Sequence, residues 1–193
     1  EDQRLALAEK LRGEVVELTN HKFGCRLIQQ AVELLPEDAR TSLVAELNGH
    51  ITECIASMHG NHVIQCVVRH SSPSDVGFIL DAVHDKIDTL AVHMYGCRVI
   101  QRLIEYCAPE QLKPLLDEVL RTVMELATDQ YGNYVVQHAM EHSSRSGDRA
   151  TIMAIVRQNA LSLSCHKYAS NVIEKALACS TMEERALLIN SIT

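Results

Sequence analysis

The sequence contains one twelve-residue stretch that recurs five times along the chain. The copies are HKFGCRLIQQAV (21–32), SMHGNHVIQCVV (57–68), HMYGCRVIQRLI (93–104), DQYGNYVVQHAM (129–140) and HKYASNVIEKAL (166–177). Equivalent residues are 36 positions apart through the first four copies and 37 apart at the fifth. A fixed period of this length is typical of repeat proteins, whose units stack because none can bury its apolar face alone.

Each copy has the pattern of an amphipathic helix. In the fourth copy, Asn133, Tyr134 and Gln137 fall within about 100° of the helix surface. The opposite arc carries the apolar side chains Val135, Val136, Ala139 and Met140. We call the five predicted helices the marked helices. In every copy, the residues equivalent to Asn133, Tyr134 and Gln137 occupy what we call the first, middle and last marked positions.

The residue types at the marked positions are restricted. The first positions are Cys25, Asn61, Cys97, Asn133 and Ser170, and the last are Gln29, Gln65, Gln101, Gln137 and Glu174. The middle positions are Arg26, His62, Arg98, Tyr134 and Asn171. All five middle side chains carry planar groups, and four are good platforms for stacking on a nucleic-acid base. A merely solvated face would show no such restriction, so the pattern favours a binding surface.

A second amphipathic segment lies upstream of the later marked helices, at 39–56, 75–92, 111–128 and 149–165. Its apolar residues recur at three- and four-residue steps, which indicates helices and not strands. Pro36, Pro73 and Pro109, each followed by acidic residues, mark helix starts. Each unit is therefore expected to be a pair of helices.

The loop between the two helices also has a recurring composition. Its glycines, expected to relax the turn, are Gly24, Gly60, Gly96 and Gly132. The fifth copy has Ala169 at that place, so glycine is preferred but not required. Histidine recurs there at His21, His93 and His166, which suggests a structural role in the loop.

Composition agrees with stacked helices, because 47% of the residues are hydrophobic, only 4% are aromatic and tryptophan is absent. We predict an all-α fold, an αα superhelix (solenoid) of five 36-residue repeats that forms one domain over residues 1–193. The approximate repeat boundaries are 1–35, 36–71, 72–107, 108–144 and 145–180, with the start of a further repeat at 181–193.

The net charge of −7 taken alone argues against a nucleic-acid partner. The five marked stretches, however, contain six lysines or arginines and only two acidic residues, so the acidic excess lies elsewhere. A polyanion can still bind the marked face, although with a modest contribution from charge.

Cysteine usage indicates a cytosolic or nuclear protein, and we predict a cytoplasmic one. The seven cysteines form no Cys-x-x-Cys pair, and Cys25 and Cys97 occupy equivalent repeat positions, which favours reduced thiols. The charged start EDQRLALAEK is unlike a signal peptide. No apolar run approaches the roughly 18 residues of a membrane-spanning helix, so no membrane partner is expected.

Catalytic and metal-binding patterns are not evident. His59 with His62, and Cys165 with His166, lack the spacing of a zinc site. No nucleophile elbow, phosphate loop or paired-carboxylate arrangement is recognisable. We expect no enzyme activity, no metal, no cofactor and no small-molecule substrate.

The segments YGCRVIQR, YGNYVVQH, HGNHVIQ and YASNVIEK resemble helices of the PUF (Pumilio) family of RNA-binding repeats, and the resemblance covers essentially the whole chain. It implies a crescent of three-helix repeats that binds single-stranded RNA antiparallel along its concave side, one base per repeat. First and last marked residues would contact the base edge, and middle residues would stack between bases. The order of marked residues resembles the third to seventh units of an eight-repeat Pumilio homology domain, so the chain would be part of one.

Donor and acceptor chemistry predicts which base each repeat reads. A glutamine amide matches the N1 acceptor and N6 donor of adenine, and an added asparagine amide suits uracil. A cysteine is small and leaves room for a purine. An ionised glutamate only accepts, so it requires the two donors of guanine. In antiparallel order the five repeats then read 5′-GUAUA-3′, which looks like part of a UGUA-type element.

The resemblance also implies a biological role. Members of the family bind 3′ untranslated regions of messenger RNA and repress translation or stability, with deadenylase or translation-repressor proteins as partners on the convex face. Two alternatives remain. A HEAT- or armadillo-like protein-binding scaffold would show no coupling between marked positions and base identity. A Pumilio-like ribosome-biogenesis factor would bind nucleic acid with little base specificity.

Overall fold

The computed structural model describes residues 2–143 and 146–192, and within these ranges the chain contains helices and no β-strand. The helices are α1 Asp2–Leu11, α2 Val15–Asn20, α3 Gly24–Leu34, α4 Glu37–Ala45, α5 Ile51–Ala56, α6 Gly60–His70, α7 Gly77–Val83, α8 Ile87–Ala91, α9 Gly96–Tyr106, α10 Pro109–Arg121, α11 Val123–Thr128, α12 Gly132–His142, α13 Ser146–Gln158, α14 Ala160–Ser164, α15 Ser170–Cys179 and α16 Met182–Asn190. A 3-10 turn, Pro73–Val76, precedes α7. The predicted all-α class is confirmed, whereas the expected boundary between 144 and 145 lies outside the described residues.

The prediction of one helix upstream of each marked helix is wrong, because every upstream segment is broken into two helices. Gly49, with φ of 87°, and Asp85, with φ of 58°, adopt the left-handed conformation that ends a helix. At Thr122 and Asn159 a single residue leaves the helical region, with φ of −119° and −116°. Each complete repeat therefore has three helices, as the resemblance implies.

The turn before each marked helix is closed by a side-chain acceptor. The nitrogen Nδ1 of His93 accepts hydrogen bonds from the backbone N–H groups of Tyr95 and Gly96, both at 3.2 Å. Equivalent bonds are accepted by the side chains of His21, Ser57, Asp129 and His166. These bonds satisfy backbone donors at the start of the helix, and they are the structural role expected for the recurring histidines.

The recurring glycines have a different role from the expected one. A Cβ atom on Gly24 would lie 2.7 Å from the carbonyl oxygen of Leu18, and one on Gly132 would lie 2.8 Å from that of Leu126. None of the glycines before the marked helices has a positive φ. In the first four repeats glycine fits there because the preceding short helix approaches the marked helix closely, not because the turn needs a flexible backbone.

The chain divides into two compact units, one running to His84 together with Tyr106–Ala108, and one made of Asp85–Glu105 and the residues from Pro109 onward. In the first unit α3 packs on α6. In the second unit α12 packs on α11, α13 and α15. Both cores are aliphatic, and fully buried side chains include Ile28, Val32, Val63, Ile64, Val135, Val136 and Val172. Within the described ranges no helix is both long and apolar enough to span a membrane.

Candidate functional site

The first marked positions lie at the buried edge of the marked helices. Cys25, Asn61, Cys97 and Asn133 are at most 4% exposed, whereas Ser170 is half-buried. In four of the five marked helices, the face expected from the sequence therefore carries its first residue at a buried edge. In these four helices the first position is turned toward the core.

The middle marked positions are accessible. The side chains of Arg26, His62, Arg98 and Tyr134 are exposed, and Asn171 is half-buried. Tyr134 keeps 41% of its surface exposed even though the Arg98 guanidinium lies over its ring, 5.1 Å from the centroid. This cation–π contact joins the middle positions of α9 and α12 and presents a flat surface to solvent.

The last marked glutamines have fixed amide orientations. In α3 and α9, the Nε2 atoms of Gln29 and Gln101 donate to the backbone carbonyl of the cysteine one turn earlier, at 3.0 and 2.9 Å. In α6 and α12, Gln65 and Gln137 donate instead to the Oδ1 atom of the asparagine, both at 3.0 Å. Each amide thus retains its Oε1 acceptor and one N–H donor. Gln29, Gln65 and Gln137 are half-buried, whereas Gln101 is only 5% exposed.

The asparagines are themselves anchored to the backbone. Asn61 donates from Nδ2 to the carbonyl of Ser57 at 2.8 Å, and Asn133 donates to the carbonyls of Asp129 at 2.8 Å and Gln130 at 3.1 Å. Sequence reasoning missed this anchoring. A signal for it was available, because each asparagine follows by four residues the position whose side chain closes the turn.

The cysteines at first positions are small. Their thiols point back to the preceding turn, where Cys25 Sγ lies 3.5 Å from the Lys22 carbonyl and Cys97 Sγ lies 3.6 Å from the Met94 carbonyl. Burial raises the pKa of Cys97, so its thiol is protonated at neutral pH. A neutral thiol leaves more room beside the glutamine amide than an asparagine does.

The fifth marked helix differs in charge. Glu174 is exposed and makes no hydrogen bond or ion pair with any described residue, so its carboxylate is available as an acceptor. It borders an open cavity of about 520 Å³ lined by Tyr134, Gln137, Asn171, Glu174, Lys175 and Ala178. Beside this cavity, Lys175 Nζ lies 2.6 Å from the Glu141 carboxylate and lowers the pKa of that acid.

Comparison with known proteins gives matches over the whole chain. A family model described as Pumilio-family RNA binding repeat matches residues 14–47, 50–84, 86–120, 123–156 and 159–193. Each matched segment contains one marked helix. A 37-residue stretch is 51% identical to Pumilio homolog 1 of Xenopus laevis, which is 19% of this chain and 3% of that protein.

Solved structures of the family are similar in sequence and in fold. A crystal structure of PUF-8 in complex with PBE-RNA superposes with a TM-score of 0.94 at 34% identity, over 99% of this chain and 56% of that one. The Puf3 RNA-binding domain bound to the Cox17 RNA 3′ UTR recognition sequence site B gives a TM-score of 0.93 at 33% identity, over 98% and 55%. The chain thus spans about half the length of these domains. Because the family model matches most of its length in five successive segments, the chain belongs to the PUF family of Pumilio-type RNA-binding repeats.

Proposed function

We propose that this chain binds single-stranded RNA sequence-specifically and reads one base with each marked helix, in the order 5′-GUAUA-3′. The oriented amide is the observation that carries the proposal. In four marked helices a glutamine Nε2 is held by a hydrogen bond to the residue one turn earlier. An amide held in this way offers one acceptor and one donor at fixed positions to the edge of an unpaired base.

The first marked residue then selects between adenine and uracil. Both bases place a donor beside an acceptor, so a glutamine amide alone fits either. In α3 and α9 the neighbour is a buried cysteine, which leaves space for the larger adenine. In α6 and α12 the amide rests on an asparagine side chain that occupies this space, which favours uracil.

Guanine is the base proposed for α15. The Glu174 carboxylate can only accept, and guanine presents the N1–H and N2–H donors together. The middle residues Arg26, His62, Arg98, Tyr134 and Asn171 are proposed to stack on the bases, with roughly 1–3 kcal/mol for each stacked base.

The RNA is proposed to be a 3′ untranslated region of messenger RNA, bound in the cytoplasm to reduce translation or messenger stability. Two solved relatives, Puf3 and Puf4, are bound to 3′ UTR recognition sequences of Cox17 and HO endonuclease RNA. Deadenylase or translation-repressor proteins are the proposed partners, bound to surfaces away from the marked positions.

The test is a binding titration with a labelled single-stranded RNA that contains GUAUA, compared with five RNAs that each change one of these bases. We expect every change to weaken binding by about 1–3 kcal/mol, and a duplex of the same sequence to bind poorly because its base edges are already paired. Equal affinity for all six single strands would show that the chain has no base specificity. Equal affinity for duplex and single strand would refute edge recognition.

A further inference from the structure

Three side chains of the kinds that bind transition metals converge in the first unit, near the carboxyl ends of α3 and α6. Glu33 comes from α3, and Cys66 and His70 come from successive turns of α6. Their donor atoms all lie within 4.8 Å of one another. Cys66 is buried, whereas Glu33 and His70 keep 49% and 35% of their side chains exposed, so an ion can reach the cluster from solvent.

Two of the three distances between donor atoms are close to those of a tetrahedral zinc site, and the third, between Cys66 and His70, is at most 4.8 Å. Glu33 Oε1 lies 3.8 Å from Cys66 Sγ and 3.9 Å from His70 Nε2. With usual zinc–ligand bond lengths, a tetrahedron has an S–O edge of about 3.6 Å and an N–O edge of about 3.4 Å. If each of these two Glu33 distances became shorter by a few tenths of an ångström, both would match the edges of such a tetrahedron.

Charge distinguishes this cluster from its counterparts in the second unit. Glu105 and Glu141 occupy the places equivalent to Glu33, 72 and 108 residues later. Glu105 is paired with Arg102 at 2.5 Å, and Glu141 is paired with Lys175 at 2.6 Å. Among the described residues Glu33 has no lysine or arginine partner, and its carboxylate faces only the Cys66 thiol and the His70 imidazole.

We propose that Glu33, Cys66 and His70 bind Zn²⁺ or a similar first-row divalent ion. Thiolate and imidazole ligands favour such ions over Mg²⁺ and Ca²⁺, which prefer oxygen. On binding, the Cys66 S–H bond breaks, a sulfur–metal bond forms and the proton leaves to solvent. The hydrogen bond that Cys66 Sγ donates to the Gln29 carbonyl, at 3.7 Å, is then lost. Water completes the four-coordinate site.

The sequence pattern predicted no metal because the ligands belong to two repeats. Cys66 and His70 have the one-turn spacing of helical metal ligands, but Glu33 joins them only when α3 packs on α6. A bound ion would link these two helices, and we therefore expect it to raise the melting temperature of the chain. This consequence does not depend on RNA binding.

The site can be tested with Co²⁺, which gives a sulfur-to-cobalt charge-transfer absorption when bound by a thiolate. We expect the chain to bind one Co²⁺ with this absorption, and we expect Zn²⁺ but not Mg²⁺ to displace it. Cys66→Ser should abolish the absorption, and Glu33→Gln and His70→Ala should each weaken binding at least tenfold. Glu105→Gln, the matched control, should have no effect. Circular dichroism would verify that each variant is folded.

Two results would overturn the proposal. One is the lack of any charge-transfer absorption in the unmodified chain. The other is an absorption that survives Cys66→Ser and disappears in Cys165→Ser, because Cys165 is the exposed thiol next to His166. Melting curves give an independent readout, since a Zn²⁺-dependent increase in Tm should be present in the unmodified chain and missing in Cys66→Ser.

Discussion

At the scale of single residues, the proposed base reading depends on pairs of residues one helical turn apart. In this proposal the last marked residue presents the hydrogen-bonding groups, and the first one sets the space beside them. In α12, for example, Asn133 is 1% exposed and holds the Gln137 amide at 3.0 Å. Substitutions at the last position should therefore change donors and acceptors, while substitutions at the first position should change the space available to the base.

The proposed guanine site gives the sharpest test at this scale. Glu174→Gln replaces a carboxylate that only accepts by an amide that accepts and donates, and it creates a Ser/Gln pair similar to the Cys/Gln pairs of α3 and α9. We expect preference at the 5′ base of GUAUA to shift from G toward A by about 1–3 kcal/mol. The measurement is the affinity of both proteins for GUAUA and AUAUA RNAs.

Gln137→Glu is the matched change in the neighbouring repeat. It should alter preference only at the base assigned to α12 and leave the 5′ base unchanged. If Glu174→Gln weakens binding to both RNAs equally, Glu174 contacts the backbone or is structural, and reading of one base by each repeat fails at this site.

At the scale of helices, apolar periodicity predicted the marked helices well but not the breaks upstream of them. Leu43, Val44, Leu47 and Ile51 are all buried and keep a helical period across the break at Gly49. Periodicity alone therefore cannot locate that break. Periodicity also did not predict the burial of the first marked positions. Asn61, for example, lies at the edge of the apolar arc, where packing of the neighbouring helix decides burial.

Gly132 lies close to the preceding short helix, whereas Gly147 has open space beside it. We therefore expect different effects when each is replaced by alanine. Gly132→Ala would place a Cβ atom 2.8 Å from the Leu126 carbonyl oxygen, so we expect destabilisation of about 1–3 kcal/mol. Gly147→Ala is the control, since Gly147 lies in α13 with no atom within 4 Å of the added carbon. It should stabilise the chain by about 0.5–1 kcal/mol. Urea unfolding measures both, and equal effects would contradict the proposed role of Gly132.

The start of α16 predicts a pH dependence. Arg149 and the Thr181 backbone N–H bind the Glu184 carboxylate, both at 2.9 Å, and lower its pKa below the usual 4.5. A lowered folded-state pKa contributes stability above pH 4.5 that is lost as pH falls through the folded value. Glu184→Gln should therefore cost about 1 kcal/mol at pH 7 and progressively less toward pH 3.

Unfolding free energies measured from pH 7 to pH 3 would show this convergence. Glu183→Gln removes the same charge from the same turn, yet it leaves the contacts of Arg149 and Thr181 in place, so it serves as the control. A Glu184→Gln cost that is constant with pH would mean that the carboxylate charge does not matter.

At the scale of the whole molecule, the charge of −7 taken alone argues against an RNA partner, but the marked helices are mildly basic. Ion pairs neutralise part of the positive charge of the marked stretches. Arg102 is paired with Glu105 and Lys175 with Glu141. Among the residues that the structure describes, the cations of the marked stretches with no ion pair are Lys22, Arg26, Arg98 and Lys167. Three of these lie over aromatic rings, namely those of Phe23, Tyr134 and Tyr168.

This distribution predicts RNA affinity with a weak dependence on salt. If the four unpaired cations each neutralise one phosphate, a slope of about −0.7 per phosphate for single strands gives a log K versus log salt slope between −2 and −3. Stacking and base-edge contacts would then provide most of the affinity, because they release no counterions. Titrations of GUAUA RNA at several salt concentrations measure the slope. A value steeper than about −6 would require phosphate contacts well beyond the marked helices. Arg98→Gln should reduce the slope by less than 1 while it weakens binding at every salt concentration, because this side chain both stacks and carries charge.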